Sequence, residues 1–107
     1  MSSDKISQLQ LLQRNMQTIL AQKQQIQGQV QELDSALAEL QKTEKSYKII
    51  GTIMVSTPKD SLSRELRERK EVFEVRLQNF SKQEERLKKS LEDLQKEVVH
   101  ELDVKNG

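Results

Sequence analysis

The sequence predicts a mainly α-helical protein, a long antiparallel two-helix coiled coil with one central β-hairpin. Apolar residues make up 34% and charged residues 33% of the 107 residues, which leaves too little apolar side chain for an ordinary globular core. Three glycines and one proline are too few for the many turns of a β-sandwich or an α/β domain. The apolar residues are placed with a strict period instead, which argues against disorder.

The first helix is predicted over about residues 4–45. A series of positions taken alternately three and four residues apart is apolar at every member but one, which is the pattern of a coiled-coil seam. Glutamine, serine, alanine and charged residues fill the positions between, so the apolar stripe is narrow. The seam consists of Leu9, Leu12, Met16, Ile19, Lys23, Ile26, Val30, Leu33, Leu37 and Leu40.

Residues 46–57 abandon this period and are rich in β-branched side chains, which predicts a β-hairpin. Gly51-Thr52 places glycine at the first central position, as a two-residue type II′ turn requires, so that Ile50 opposes Ile53. Both faces of such a hairpin are apolar, and two strands alone are marginal. We expect hairpins of several chains to join into a larger sheet or barrel; the alternative is that the hairpin folds onto its own coiled coil. This assembly hairpin comprises Tyr47, Ile49, Ile50, Gly51, Ile53, Met54 and Val55.

The second helix is predicted over residues 58–104, with Thr57 as its N-cap and Pro58 at its first position. Since only about a dozen residues join the two helices, we expect them to fold back against each other. Polar seam members either fix the register or extend to the seam edge. The second seam consists of Leu66, Lys70, Phe73, Leu77, Phe80, Glu84, Leu87, Leu91, Leu94, Val98 and Glu101.

The order of these parts resembles the β-type subunits of prefoldin. The most specific blocks are Tyr47-Lys48-Ile49-Ile50-Gly51 in the hairpin and Lys82-Gln83-Glu84-Glu85-Arg86 in the second helix. The likeness extends over nearly the whole chain, and one hairpin rather than two is the β-type pattern. It implies a single prefoldin-like domain over residues 1–107, similar to archaeal β subunits, although eukaryotic β-type subunits share the pattern.

The resemblance also implies a function. In this family, two α-type and four β-type chains form a hexamer whose hairpins assemble into intersubunit β-barrels. The hexamer is an ATP-independent chaperone, a holdase, that captures unfolded polypeptides at the coiled-coil tips and transfers them to a group II chaperonin. The alternative from another class is a structural coiled-coil adaptor that binds one defined partner.

A client-binding tip is predicted where the two chain ends meet. Val99 and Leu102 lie off the seam, so the opposite helix does not cover their side chains. Exposed apolar groups suit a protein that binds many unfolded sequences. The alternative is that these residues merely close the end of the coiled coil. The predicted tip consists of Ile6, Leu9, Leu12, Leu94, Val98, Val99, Leu102 and Val104.

Several classes of function are disfavoured. A formal charge of +1 predicts neither a nucleic-acid nor a membrane partner. The chain has no cysteine and His100 is its only histidine, and it has no phosphate-binding loop or metal-ligand spacing. We therefore predict no catalytic residue, no cofactor and no metal site. The lack of an apolar run of about 20 residues and of a signal-peptide core predicts a cytoplasmic protein.

Overall fold

The computed structural model describes residues 2–106, with side chains described over residues 3–103. The order of elements is α1 (Ser2–Lys42), β1 (Tyr47–Ile50), β2 (Ile53–Ser56) and α2 (Lys59–Asn106). This confirms the predicted mainly α-helical fold with one central hairpin. The first helix ends at Lys42, before the predicted end near residue 45. The Thr43 hydroxyl donates to the Leu40 carbonyl at 3.3 Å, one of the carbonyls that have no partner within the helix at its C-terminal end.

The chain is grouped into two compact units. One unit, the terminal unit, combines Met1–Gln24 with Gln78–Gly107, and the other, the hairpin unit, is Gln25–Leu77. In each unit a segment of α1 lies beside a segment of α2, and the hairpin unit also contains both strands.

The two predicted seams form the core of both units. Every predicted seam position is buried or half-buried. The most buried apolar side chains are 7–9% exposed, and no side chain of residues 3–103 is fully enclosed. The core is therefore a narrow strip along the helices, as expected for a two-helix pair. Its most buried members are Ile26, Leu33 and Leu40 in the hairpin unit and Leu94 and Val98 in the terminal unit.

The polar seam members form ion pairs with the opposite helix. Lys23 of α1 and Glu84 of α2 meet in the terminal unit, with Nζ and Oε2 2.7 Å apart. In the hairpin unit, Lys70 Nζ lies 2.6 Å from Asp34 Oδ1. A hydrogen bond to Asp34 raises the pKa of the Lys70 ammonium, and the charges of Asp34 and Glu74 add to this effect. These side chains bind partners rather than merely extending into solvent.

The hairpin has the predicted register. Ile50 pairs with Ile53 and Ile49 with Met54 in an antiparallel ladder. Gly51 has a φ of 61°, and no other described residue with a side chain has a positive φ. A type I′ turn needs positive φ at both central residues, whereas a type II′ turn needs it only at the first. The turn is therefore of the predicted type II′ class.

The prediction that Thr57 caps α2 is wrong. The first helical hydrogen bond runs from the Leu62 N–H to the Pro58 carbonyl at 3.0 Å, so that Pro58 stands at the cap position. Thr57 is instead held at the base of the hairpin: its N–H donates to the Ser46 carbonyl at 3.0 Å, and its carbonyl accepts from the Ser46 hydroxyl. The backbone bond continues the strand ladder by one residue pair, and the Ser46 hydroxyl occupies the Thr57 carbonyl, so the helix starts one residue later than predicted.

Candidate functional site

Apolar side chains cover both faces of the hairpin and remain largely exposed. We call Ile49, Ile50, Ile53 and Met54 the hairpin surface, and these four side chains are 58–69% exposed. Tyr47 and Val55, nearer the base of the strands, are also exposed. The alternative in which the hairpin folds onto its own helices is therefore wrong, because the helices leave this surface uncovered. Such a concentration of exposed apolar groups is typical of a protein-binding surface.

The base of the hairpin is fastened to α2 by an ion pair. Lys48 Nζ of β1 lies 2.6 Å from Glu65 Oε1, and Arg69 Nη2 approaches the same oxygen at 4.0 Å. The hydrogen bond from Lys48 lowers the pKa of the Glu65 carboxyl, and the two positive charges favour the same direction. The carboxylate therefore stays ionised under ordinary conditions and holds the strand to the helix.

The end of α1 is also held in place. Lys59 Nζ donates to the Gln41 carbonyl at 3.0 Å, in the last turn of α1. A cation is favoured there because the helix C-terminus carries partial negative charge and unpaired carbonyls. Lys59 thus connects the first turn of α2 to the last turn of α1, on either side of the hairpin.

The start of α1 and the end of α2 are joined by Lys5. Its ammonium forms ion pairs with Glu101 and with Glu97, the latter at 3.6 Å. The hydrogen bond to Glu101 raises the pKa of Lys5, with further contributions from the charges of Glu101 and Glu97. The antiparallel arrangement that the sequence predicts for this end of the helices is therefore present in the terminal unit.

The predicted tip residues divide into exposed and covered groups. Val99 is 56%, Leu102 45% and Ile6 41% exposed, and we call these three the exposed tip residues. Leu94 and Val98 are buried, at 9% and 8%. Leu9 and Leu12 are half-buried. The side chain of Val104 lies outside the described residues. The prediction that Val99 and Leu102 escape the seam is confirmed.

Two exposed leucines near this end were not predicted as site residues. Leu11 is 54% and Leu20 44% exposed. Each adjoins a seam residue, Leu12 and Ile19 respectively, so that only one of the two apolar neighbours can face α2. An apolar residue directly beside an apolar seam position is therefore the sequence signal that would have identified Leu11 and Leu20. Both leucines add exposed apolar surface to the terminal unit.

Residues 3–103 contain no cluster of histidine and carboxylate side chains that could hold a metal ion. No described helix has the length and apolar character needed to cross a membrane.

The chain is similar in sequence to known proteins over most of its length. Residues 3–102 match the family described as Prefoldin subunit. A prefoldin subunit beta of Caldivirga maquilingensis is 35% identical over 105 residues, which is 95% of this chain and 87% of that protein. A prefoldin subunit beta of Sulfurisphaera tokodaii is 39% identical over 93 residues, which is 84% of this chain and 74% of that protein.

A solved structure is similar as well. The crystal structure of the prefoldin beta subunit from Thermococcus strain KS-1 superposes with a TM-score of 0.87 at 33% sequence identity. The match covers 91% of this chain and 88% of that one. The order of helix, hairpin and helix described above is therefore shared with a protein of known structure.

Proposed function

Because the chain belongs to the prefoldin subunit family, a family of chaperones rather than enzymes, we propose that it acts as the β-type subunit of an ATP-independent holdase. Residues 1–107 form one prefoldin-like domain in this proposal. The complex captures unfolded polypeptides and transfers them to a group II chaperonin in the cytoplasm. The alternative is a structural adaptor that uses the same coiled coil to bind one defined partner.

The observation that carries this proposal is the exposure of apolar side chains at both the hairpin and the paired chain ends. The hairpin surface is 58–69% exposed in the single chain, and covering it stabilises an assembly by about 25 cal/mol for each Å² of apolar area removed from water. Hairpins of two α-type and four β-type chains provide that cover when they pair edge to edge in β-barrels. Edge pairing also satisfies the free backbone groups of β1 and β2.

Capture of unfolded chains is assigned to the exposed tip residues Ile6, Val99 and Leu102. Non-native polypeptides expose apolar side chains, which gain free energy when they contact other apolar groups. No single pocket is needed, since a set of exposed aliphatic side chains accepts many sequences. Leu94 and Val98 support this surface from beneath, because both are buried in the seam.

The chaperone function is tested by suppression of aggregation. Several unrelated proteins are diluted from denaturant with the chain, alone or mixed with an α-type subunit of an archaeal prefoldin, and light scattering is followed without ATP. We expect scattering to fall for all of them. If no client is protected although the subunits assemble, the holdase is ruled out and the adaptor is favoured. Release of captured client to a group II chaperonin, followed by its refolding, tests the transfer step.

A further inference from the structure

Lys48 is the one polar residue on an otherwise apolar face of the hairpin. The register places it on the same face as Ile50, Ile53 and Val55, because alternate residues of a strand point to the same side. The Lys48 side chain is 37% exposed, and a partner of opposite charge favours the position of its ammonium beside these aliphatic groups. That partner is Glu65 of α2, at 2.6 Å.

Within residues 3–103, this ion pair is the only polar side-chain contact that joins the strands to the helices. The remaining hydrogen bonds near the hairpin join Ser46 to Thr57 and Thr57 to Val55, which closes the base of the strands without reaching α2. Among the described residues, no other ion pair or side-chain hydrogen bond connects β1 or β2 to either helix. Apart from the chain connections and the packing at the base of the strands, this contact is what fixes the hairpin against α2.

We propose that the Lys48–Glu65 ion pair is a positioning contact for assembly, which holds the hairpin at the angle at which hairpins of other prefoldin subunits pair with it. This inference rests on the proposed function. Edge strands must lie about 4.8 Å apart and in register to form a ladder. A hairpin fastened only at its base loses more freedom when it joins a sheet, and preorganising it lowers that entropic cost.

The contact is sensitive to pH in a defined direction. The charged groups that act on Glu65 are Lys48 from β1 and Arg69 from its own helix, and both lower its pKa. The contact is therefore intact above the ordinary glutamate pKa of 4.5 and is lost as the pH falls through the lowered value.

Sedimentation velocity over a concentration series tests the proposal with the full-length chain, alone and mixed with an α-type prefoldin subunit. Glu65→Gln is compared with Glu68→Gln, which removes a carboxylate one turn away that is exposed and forms no ion pair with residues 3–103. At neutral pH we expect Glu65→Gln to raise the dissociation constant of assembly about two- to fivefold, as the loss of a half-exposed ion pair implies. Glu68→Gln leaves the constant unchanged.

Two further measurements separate an ionic positioning contact from a general structural defect. Lys48→Gln weakens assembly as Glu65→Gln does, and the double variant is no weaker than either single one, since the same contact is lost. The ratio of the Glu65→Gln and wild-type dissociation constants should stay constant from pH 7 down to about 4.5 and fall towards one only at lower pH, as the carboxyl is protonated through its lowered pKa. Helical content by circular dichroism stays the same in all variants.

Equal assembly of Glu65→Gln and Glu68→Gln at neutral pH would overturn the positioning role. A weakening that does not change with pH, or additive effects of the two single substitutions, would overturn it as well. If the wild-type chain assembles neither alone nor with the α-type subunit, the proposed function fails. The positioning role then fails with it, because there is no assembly for the contact to position. The aggregation measurements identify that case independently.

Discussion

Lys23 and Glu84 occupy seam positions on opposite helices and form an ion pair, with Nζ and Oε2 2.7 Å apart. Both side chains are only partly exposed. A polar pair in an apolar seam contributes little net stability, because desolvation offsets most of the attraction between the charges. It does penalise other registers, in which one charge would face an apolar side chain without a partner. The pair therefore acts mainly on the choice of register.

Replacing both members of this pair with leucine should stabilise the terminal unit. We expect the Lys23→Leu/Glu84→Leu double variant to gain about 1 kcal/mol in free energy of unfolding, because the seam becomes continuous. Glu84→Leu alone should lose about 1 kcal/mol, since Lys23 is left half-buried without its partner. Urea unfolding followed by circular dichroism at one fixed protein concentration measures both. A double variant less stable than the single one would contradict this interpretation.

The seams and the hairpin could be predicted because each depends on a local pattern. The alternation of three and four residues identifies the buried face wherever the helices pair, and Gly51-Thr52 alone sets the hairpin register. The partners of the polar seam residues could not be predicted in the same way. Asp34 lies off the seam, and its pairing with Lys70 depends on the offset between the helices, which no local pattern specifies.

The start of α2 shows a second limit of sequence patterns. Thr57-Pro58 is a favourable helix start when only local preferences compete. In the structure, Ser46 binds both the N–H and the carbonyl of Thr57, from a position eleven residues earlier in the chain. A contact across the hairpin thus overrides a local cap. Lys48–Glu65 was missed for the same reason, since it joins a strand to a helix.

The same substitution should have opposite effects at two glycines. Gly51→Ala should destabilise the chain by about 1–2 kcal/mol, because Gly51 has a φ of 61° that an L-residue adopts at a cost. Gly28→Ala should stabilise it by about 0.5–1 kcal/mol, since alanine is the better helix former. An added methyl group meets no atom within 4 Å at either position, so packing does not enter the comparison.

Thermal unfolding by circular dichroism measures the two glycine variants, each at the same protein concentration as wild type. Native mass measurement of Gly51→Ala then reports on the turn itself, because a distorted turn displaces the hairpin surface and weakens assembly. Equal melting temperatures for Gly51→Ala and Gly28→Ala would show that alanine fits the turn without conformational strain.

Leucines on and off the seam should differ in their contribution to stability. Leu94 is 9% exposed and Leu20 is 44% exposed, and both belong to the terminal unit. We expect Leu94→Ala to lower the free energy of unfolding by about 2–3 kcal/mol through lost burial and the cavity left behind. Leu20→Ala should cost less than about 1 kcal/mol. Equal losses in urea unfolding would mean that Leu20 is covered in solution, for example by another subunit.

Alkaline pH should weaken the contact between Lys70 and Asp34. The raised pKa of Lys70 means that its stabilising effect is fully present below the ordinary lysine value of 10.5 and is lost as the pH rises through the raised value. The difference in free energy of unfolding between wild type and Lys70→Met should therefore shrink as the pH rises from about 9 to about 12. Lys89→Met, at an exposed position, is the control, and its difference from wild type should stay constant. A constant difference for Lys70→Met would remove the ionic basis of the contact.

Substitutions of an exposed and of a buried valine near the end of α2 should distinguish side chains that capture clients from side chains that stabilise the fold. Val99→Ser should change the free energy of unfolding by less than about 0.5 kcal/mol, because the side chain is 56% exposed, yet it should weaken suppression of aggregation. Leu102→Ser acts in the same way, and the two together should act more strongly. Val98→Ser places a hydroxyl at an 8% exposed seam position and should cost about 1–3 kcal/mol.

Light scattering of aggregating client proteins, measured beside urea unfolding of each variant, gives the two readouts independently. The expected pattern is loss of capture without loss of stability for Val99→Ser and Leu102→Ser, and loss of stability for Val98→Ser. If the exposed variants capture clients as well as wild type does, these residues only close the end of the coiled coil. Client binding would then have to be sought at the other exposed large apolar residues described in the terminal unit, Ile6, Leu11 and Leu20.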